Sequence, residues 1–170
     1  MFRLLSVVSG VLIMTILYAL FPTRHLPTAT VCDRLIVFKK RKILQLWSKG
    51  KLVKVYKVAL GKVPVGAKSR EGDMRTPEGS YFIHDKNPKS AFYLNLGISY
   101  PNDRDQAHAE ANGLKPGSAI KIHGLRNGCG WRGRFHRYRN WTAGCIALTN
   151  AEIEELYRAV PLHTPINIYP

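Results

Sequence analysis

Residues 122–148 read IHGLRNGCGWRGRFHRYRNWTAGCIAL, and this stretch guides the interpretation of the rest of the chain. The alternating residues 119–122 predict a strand that ends at His123-Gly124, and Gly144-Cys145 forms a turn before a predicted helix. A histidine can take a thiol proton, a thiolate can attack a carbonyl, and backbone amides of a turn can hold the oxyanion. The stretch therefore predicts thiol-dependent acyl transfer with Cys145 and His123 as the reacting pair.

Short strand-like runs surround this stretch. Residues 61–79 are rich in Gly, Pro and charge and predict a long functional loop. A capping box at Thr149 and Glu152 predicts a helix to about residue 160, and a second short helix is expected at 105–112. The other predicted strands cover residues 35–38, 43–47, 52–58, 81–84, 92–96 and 166–169. These elements predict a mainly β domain with two short helices over residues 31–170.

The chain of 170 residues carries a net charge of +15. Nucleic acid, an anionic membrane surface or an acidic polymer would each suit such a charge. Lys and Arg are scattered along the whole chain rather than gathered in one run. We therefore interpret the charge as a general surface property and not as a nucleic-acid-binding motif.

The first thirty residues differ from the rest of the chain because they contain a long uncharged segment. Residues 4–21 contain no charged residue, and their length exceeds a typical signal-peptide core and reaches the lower limit for a spanning helix. We predict a membrane anchor and linker over residues 1–30, with a cleaved signal peptide as the alternative, and a catalytic domain outside the cytoplasm. The basic residues that follow the segment oppose this orientation, because the positive-inside rule would keep that side in the cytoplasm.

The cysteines and histidines allow two further hypotheses. One is a zinc site, although the spacing of the candidate ligands is not that of ordinary structural sites. Those candidates are His123, Cys129, His136 and Cys145. The other is a disulfide between Cys32 and Cys129, which would leave Cys145 as the single free thiol outside the cytoplasm.

The glycine-rich residues 128–133, GCGWRG, match the dinucleotide-binding fingerprint letter for letter. That fingerprint must open a helix within a βαβ unit. Residues 134–141 show no helical apolar stripe. We therefore interpret this segment as a flexible glycine loop.

The chain resembles the L,D-transpeptidase catalytic domains of bacterial cell walls. TAGCIAL at 142–148 and IHG at 122–124 carry the resemblance, and the matching upstream pieces are ALG at 59–61, EGDMRTPEG at 71–79 and ISYP at 98–101. The resemblance extends from about residue 33 to the end of the chain. It is greatest for the branch with a Trp-Thr-x-Gly-Cys motif and an upstream His-Arg pair, here His136-Arg137.

This resemblance implies a β-sandwich-like fold with the cysteine on a loop over the sheet. It implies that Cys145 attacks the carbonyl of the L-centre of diaminopimelate in a tetrapeptide stem and expels D-Ala. His123 would hold the thiol proton and later help deprotonate the acceptor amine, and the carbonyl of Gly124 would orient the imidazole. Backbone amides near Gly144 and Cys145 would form the oxyanion hole. Peptidoglycan stem peptides are the partner that the resemblance implies, and no metal or organic cofactor is required. The N-terminal segment adds the cytoplasmic membrane as an expected partner, and we expect no nucleic acid.

Two positions depart from the commoner family pattern. Many members have His and Arg where this chain has Ala143 and Ala147, so substrate recognition must involve other residues. The candidates for substrate binding are His136, Arg137, Arg132, Arg75, Thr142 and Tyr100. A hydrolase that uses water as the acceptor, and a non-catalytic wall- or nucleic-acid-binding protein, are the alternatives to a transpeptidase.

Overall fold

The computed structural model describes residues 10, 13–15 and 25–170. From residue 25 onward the chain forms strands β1 (Arg34–Phe38), β2 (Ile43–Ser48), β3 (Lys51–Lys57), β4 (Gly79–Ser90), β5 (Tyr93–Ile98), β6 (Lys121–His123), β7 (Ile146–Ala147) and β8 (Pro165–Tyr169). It also forms helices α1 (Asp103–Ala111) and α2 (Asn150–Ala159) and a 3₁₀ segment, Gly130–Tyr138. The mainly β class with two short helices is confirmed.

The eight strands form one sheet in the order β3-β2-β1-β8-β4-β5-β6-β7. Two neighbouring pairs are parallel, β1 with β8 and β6 with β7, and the others are antiparallel. Strand β4 is much longer than the predicted 81–84, because its first part pairs with β8 and its second part with β5. The predicted sandwich is therefore a single sheet shared by both halves of the domain.

This sheet curls until its two ends meet. The chain just after β3 forms an antiparallel bridge to β7, with Ala59 N donating to Ala147 O at 3.0 Å and Ala147 N donating to Ala59 O at 2.8 Å. A second bridge joins Gly61 to Thr142. Strand β7 is only two residues long, and these bridges hold it on the side opposite β6. The residue before β7 is Cys145, so the closure of the sheet fixes the position of the predicted nucleophile.

Helix α2 packs its apolar face against the sheet. Ile153, Leu156 and Ala159 recur at helical spacing and are buried in the core. The same helix buries Glu155, whose carboxylate accepts hydrogen bonds from the Tyr56 hydroxyl at 3.0 Å and from the Leu26 amide at 3.0 Å and pairs with a lysine of β3. These contacts bring Leu26 into the core, so the predicted linker packs against the domain from that residue.

Both helices begin at capping boxes. The box at Thr149 and Glu152, predicted from the sequence, is formed at the start of α2. Helix α1 starts two residues before the predicted boundary because Asn102 and Asp105 form a box of their own. Each box satisfies backbone N–H groups that the first helical turn would leave unpaired.

The segment interpreted as a flexible glycine loop is in part ordered. Residues Gly130–Tyr138 form 3₁₀ turns with a kink at Gly133, where φ is +45°. A 3₁₀ turn requires only i→i+3 hydrogen bonds, so the lack of a helical apolar stripe did not exclude it. The absence of an α-helix in this segment agrees with our rejection of the dinucleotide fingerprint.

The predicted anchor at 4–21 lies mostly outside the described residues. Residues 10 and 13–15 of that segment are helical. Within the part of the chain that the structure describes, no helix has the length and apolar character needed to cross a membrane.

Candidate active site

His123 is the last residue of β6 and is buried. Its Nδ1 lies 2.7 Å from the carbonyl oxygen of Gly124. A carbonyl can only accept, so Nδ1 carries the proton of the neutral ring and Nε2 is left with a free lone pair. The backbone carbonyl of Gly124 therefore sets the tautomer of the neutral His123 ring.

Aromatic rings fix the orientation of this imidazole. The ring centroids of Phe92 and His123 are 4.7 Å apart, and Trp141 meets His123 edge-on at 5.7 Å. Phe92 and Trp141 also stack on each other at 6.0 Å. Rotation of the His123 ring would disturb both contacts, so the imidazole is held in one orientation.

Gly124 is held just as closely. Its amide donates to the carbonyls of Phe92 and Leu94, at 3.1 and 3.2 Å. A Cβ at this position would lie 2.9 Å from Asn150 Oδ1 and 3.0 Å from Ile153 Cγ2. A larger residue here would require Asn150 and Ile153 to shift, so the close packing of Gly124 helps to keep its carbonyl beside the imidazole.

Cys145 lies on the same face of the sheet as His123. In the parallel ladder of β6 and β7, Ile122 pairs with Ile146, and both residues are fully buried in the core. Successive residues of a strand point to opposite faces. Cys145, one residue before Ile146, and His123, one residue after Ile122, therefore share the other face. The two strands therefore place the predicted nucleophile and base on one face of the sheet.

The turn that carries Cys145 is stabilised by Thr142. The Thr142 hydroxyl donates to the carbonyl of Cys145 at 2.7 Å and accepts from the amide of Gly144 at 3.2 Å. Thr142 is itself buried, so it shapes this turn rather than presenting a surface to substrate. The Gly144 amide, a predicted oxyanion donor, is occupied by this hydrogen bond.

Gly144 lies directly beneath the loop at 61–79. Its φ is +131°, and a Cβ there would approach the carbonyl oxygen of Arg75 to 2.6 Å and the side chain of Ile120 to 3.0 Å. No side chain fits that space without moving the loop. The long loop predicted from composition therefore lies against the nucleophile turn.

Buried polar groups hold this loop in place. The carboxylate of Asp73 accepts from the amides of Ser69, Arg70 and Arg75 and pairs with the ammonium of Lys68 at 2.8 Å. Burial by itself would raise the pKa of Asp73, but these hydrogen bonds lower it below its ordinary value. The loop is therefore organised around one ionised carboxylate.

Lys39 supports the loop from β1. Its ammonium donates to the carbonyls of Gly66 and Thr76, at 2.6 and 2.9 Å, and to the carboxylate of Glu78 at 2.6 Å. Only 2% of Lys39 is exposed. The hydroxyl of Thr76 in turn accepts from the amide of Gly61 at 3.1 Å. The two ends of the loop are joined by these contacts.

The protonation states of the two reacting groups follow from their burial. Burial lowers the pKa of His123, and the charge of Lys121 lowers it further, against a hydrogen bond to Gly124 that raises it. Burial raises the pKa of the Cys145 thiol, although a backbone hydrogen bond from Lys121 and nearby lysine charges act in the other direction. Both groups are therefore neutral in the free protein near pH 7.

Two of the predicted substrate-binding residues lie together in a hollow beside this pair. The hollow has a volume of about 840 Å³, and His136 and Arg132 line it together with Phe92 and Trp141, the two rings that contact His123. His136 is buried and contacts Trp141 edge-on at 6.3 Å. Arg132 is exposed and packs over the ring of Trp131 at 5.7 Å.

Three other candidates for substrate binding lie elsewhere. Arg137 forms an ion pair with Glu152 at the start of α2 and so stabilises the helix terminus. Tyr100 is in the core, where its hydroxyl donates to the carbonyl of Pro116 at 2.9 Å. The side chain of Arg75 lines a second hollow on the other side of the loop, and its backbone lies near Gly144.

The disulfide and zinc hypotheses are not supported by these positions. Cys32, Cys129 and Cys145 are all free thiols. Cys32 is buried in the core, with its amide bonded to the end of α2, whereas Cys129 lines the hollow beside His136, so the proposed pairing of Cys32 with Cys129 is wrong. In the described part of the chain, no three His, Cys, Asp or Glu side chains converge as metal ligands would.

Sequence reasoning missed residues that act across long sequence separations. Phe92 packs on His123, Asn150 Oδ1 accepts from the amide of Leu125 at 2.9 Å beneath Gly124, and Lys39 supports the loop. Phe92 is predicted only as the start of a strand, and Lys39 only as part of the surface charge. Asn150 follows the capping residue Thr149 at the start of α2, and no local signal in the sequence distinguishes it.

Residues 33–168 match the YkuD family model, which describes the L,D-transpeptidase catalytic domain. YafK of Escherichia coli K12, a protein provisionally named as an L,D-transpeptidase, is 30% identical over 130 residues, which cover 73% of this chain and 45% of YafK.

Solved structures with a similar fold are also found. The helical cell shape determining protein Pgp2 of Campylobacter jejuni is 26% identical with a TM-score of 0.61, over 82% of this chain and 48% of that one. Bd1075 of Bdellovibrio bacteriovorus is 25% identical with a TM-score of 0.57, over 84% of this chain and 49% of that one. The chain spans about half the length of these relatives.

Proposed function

Because the chain belongs to the YkuD family of L,D-transpeptidase catalytic domains, we propose that it forms cross-links between peptidoglycan stem peptides through a Cys145 acyl-enzyme. The observation that carries this proposal is the shared face of Cys145 and His123 at the ends of two parallel strands. The hydrogen bond that leaves His123 Nε2 free to accept a proton supports it. The relatives are longer than this chain, so their whole-protein activities do not transfer directly.

In the first half-reaction, the thiol of Cys145 attacks the carbonyl of the L-centre of diaminopimelate in a donor tetrapeptide. Nε2 of His123 takes the thiol proton as the C–S bond forms. The tetrahedral intermediate then collapses, the C–N bond breaks, and D-Ala leaves with the proton returned from His123. The product of this step is a thioester on Cys145.

In the second half-reaction, the amine of an acceptor stem attacks the thioester. The attacking amine is neutral; His123 accepts one of its protons as the C–N bond forms, the C–S bond breaks, and the thiol is regenerated with that proton. Water in place of the amine would release a shortened stem peptide instead. The reaction requires no redox step, and its proton balance closes through His123 alone.

Oxyanion stabilisation falls to the amide of Cys145. The Gly144 amide donates to Thr142 in the free protein, and the carbonyl of Cys145 accepts from the same threonine. These two bonds fix the peptide groups on either side of the Gly144–Cys145 peptide, which carries the Cys145 amide. An amide held in this way can stabilise charge on the carbonyl oxygen without reorganisation during the reaction.

We place the domain in the cell envelope, with residues 4–21 as a membrane anchor. The absence of charge across those residues supports the anchor. The net charge of +15 suits a polymer whose stem peptides carry several carboxylates.

The experiment that tests the thiol mechanism uses a carbapenem, which mimics the acyl donor and forms a stable thioester. Intact-mass analysis should show one adduct on the wild-type protein, none on Cys145→Ala and one on Cys129→Ala. His123→Ala should slow adduct formation by about 10²–10⁴-fold, the usual contribution of a positioned base. Cys129→Ala is the matched control because it also removes a partly exposed thiol near the site.

An adduct that persists on Cys145→Ala would contradict the mechanism. Incubation of the wild type with purified muropeptides then separates the acceptors: cross-linked dimers indicate an amine acceptor, and shortened monomers indicate water. Recovery of unchanged muropeptides would leave no basis for either catalytic function.

A further inference from the structure

The hollow beside His123 has an aromatic wall and a basic rim. Its wall is formed by five aromatic side chains: Phe92, Trp131, Phe135, Tyr138 and Trp141. Arg126, Arg132 and Arg139 also line it, and all three are exposed. The volume of about 840 Å³ is that of a site for a small ligand or a peptide end.

The surrounding sequence carries one sign of charge. Between Glu110 and Glu152 the chain has seven basic residues and no acidic residue. The seven are Lys115, Lys121, Arg126, Arg132, Arg134, Arg137 and Arg139. An anionic group that enters the hollow therefore meets no like charge from this segment.

The tautomer of His136 can be read from its neighbour. Nε1 of Trp141 lies 3.4 Å from Nδ1 of His136. An indole N–H can only donate, so Nδ1 accepts and the ring proton is on Nε2. Burial, with a contribution from the charge of Arg137, lowers the pKa of His136 to about 3, so the ring is neutral near pH 7. Nε2 is therefore a hydrogen-bond donor.

This donor is unsatisfied. His136 is 8% exposed, and its Nε2 finds no hydrogen-bond partner in the described part of the protein. Buried donors in folded proteins are almost always paired, and an unpaired one destabilises the free protein. A ligand that supplies an acceptor atom would pair with this donor and remove the destabilisation. An ionised carboxylate, which only accepts and can also bind the arginines of the rim, matches the site.

We propose that His136 Nε2–H and Arg132 bind the α-carboxylate of the D-amino acid whose nitrogen is adjacent to His123 during catalysis. Trp141 contacts both imidazoles, His123 at 5.7 Å and His136 at 6.3 Å between ring centroids, so the hollow opens beside the base. The inference rests on the proposed function, and it identifies the α-carboxylate of the substrate as the group that the protein recognises.

One carboxylate site serves both half-reactions. The leaving D-Ala and the D-centre of an acceptor diaminopimelate each carry an α-carboxylate next to the nitrogen that exchanges its proton with His123. The acceptor nitrogen must occupy the position that the leaving nitrogen has vacated. Because Nε2 of His136 is covered in the free protein, binding includes a side-chain rearrangement at the rim, where Trp131 and Tyr138 are 71% and 81% exposed.

The test compares two ligands on the full chain with Cys145→Ala, which cannot be acylated. One ligand is a stem tetrapeptide ending in D-Ala, and the other is the same peptide with a C-terminal amide. Calorimetric titration should show the acid binding about 10- to 100-fold more tightly than the amide, as expected for a charge-assisted hydrogen bond at a buried donor.

Variants of His136 separate this role from a structural one. His136→Gln keeps a side-chain N–H donor and should retain most of the preference for the acid, whereas His136→Phe, which keeps the packing, should abolish it. Nitrogen NMR of the imidazole should show the proton on Nε2 in the free protein and a shift of that signal only with the acid. The amide should leave the signal in place.

Equal binding of acid and amide, or a preference for the acid that survives in His136→Phe, would overturn the proposal, and so would a ring proton on Nδ1. These outcomes are distinguishable from failure of the proposed function. Acylation of Cys145 by a carbapenem does not require the carboxylate preference, and peptide binding to Cys145→Ala does not require acylation.

Discussion

At His123 and Cys145, burial acts on two groups in opposite directions. Burial lowers the pKa of the His123 imidazole and raises the pKa of the Cys145 thiol, and both shifts favour the neutral form of the group. The free site is therefore a neutral thiol beside a neutral imidazole, and not a preformed thiolate–imidazolium pair. In the proposed mechanism the thiol loses its proton only as it attacks, so a reactive thiolate does not persist between turnovers.

The pH dependence of acylation should report this state. Only neutral His123 accepts the thiol proton, and its pKa is lowered, so the rate of carbapenem acylation should rise with pH through a midpoint below the ordinary value of 6.5. Lys121→Gln should move that midpoint upward, because the Lys121 charge is one cause of the lowering. Single-turnover mass spectrometry across pH measures it. A midpoint at or above 6.5 in the wild type would refute the neutral pair.

The proposed reacting residues, His123 and Cys145, could be identified from the sequence because each has a local signature. Strand alternation before His123 and a glycine before Cys145 are visible within a few residues of sequence. Phe92 and Asn150 were not predictable, because each acts on the His123-Gly124 dipeptide from a different element. The orphan donor on His136 was equally hidden, since its tautomer depends on a contact with Trp141.

Among the elements, the loop at 61–79 depends most on buried charge. Its composition predicted a functional loop, but composition did not indicate how the loop is fixed. Lys39 and Lys68 read as part of the scattered surface charge, yet both are buried and bonded to the loop. The sequence around a lysine does not show whether its side chain is buried, because burial depends on how distant segments pack.

Asp73→Asn should therefore destabilise both the fold and the site. Removal of one partner from a buried ion pair leaves Lys68 uncompensated, and we expect a loss of about 2–4 kcal/mol in the free energy of unfolding. Acylation of Cys145 should also slow, because the carbonyl of Arg75 packs on Gly144. Urea titration and carbapenem mass analysis measure the two effects.

The pH dependence of this loss has a fixed sign. The pKa of Asp73 is lowered in the folded protein, so its contribution is fully present above the ordinary value of 3.8 and is lost as pH falls through the folded value. The stability difference between wild type and Asp73→Asn should therefore be constant near neutral pH and shrink below 3.8. Glu71→Gln, at an exposed position of the same loop, is the matched control and should change little. A constant difference down to pH 2 would show that the charge of Asp73 is irrelevant.

At the scale of the whole molecule, the net positive charge and the uncharged segment at residues 4–21 both favour association with a membrane. A net charge of +15 attracts the protein to anionic lipid, and that attraction is screened by salt. Burial of an uncharged segment in the bilayer is not screened. A wash in high salt therefore distinguishes a protein that is adsorbed through its charge from one that is anchored in the bilayer.

The full chain should remain with the membrane fraction after a wash in 1 M salt. The variant Leu12→Arg/Leu17→Arg places two charges in the apolar segment and should be released by the wash, because charge at the bilayer centre is costly. Immunoblotting of pellet and supernatant measures both. Release of the wild type by salt would show that charge alone holds it, and recovery of a chain lacking residues 1–30 would show a cleaved signal peptide.

Strand β8 lies between β1 and β4 in the middle of the sheet, although it follows the seven other described strands in the sequence and is made after them. During synthesis, the two halves of the sheet have no strand to join them until this segment leaves the ribosome. Domains fold as units, so the halves cannot close early around Cys145. If the proposed envelope location holds, a chain exported during synthesis would cross the membrane unfolded, and Cys145 and His123 would come to lie on one face of the sheet only after delivery.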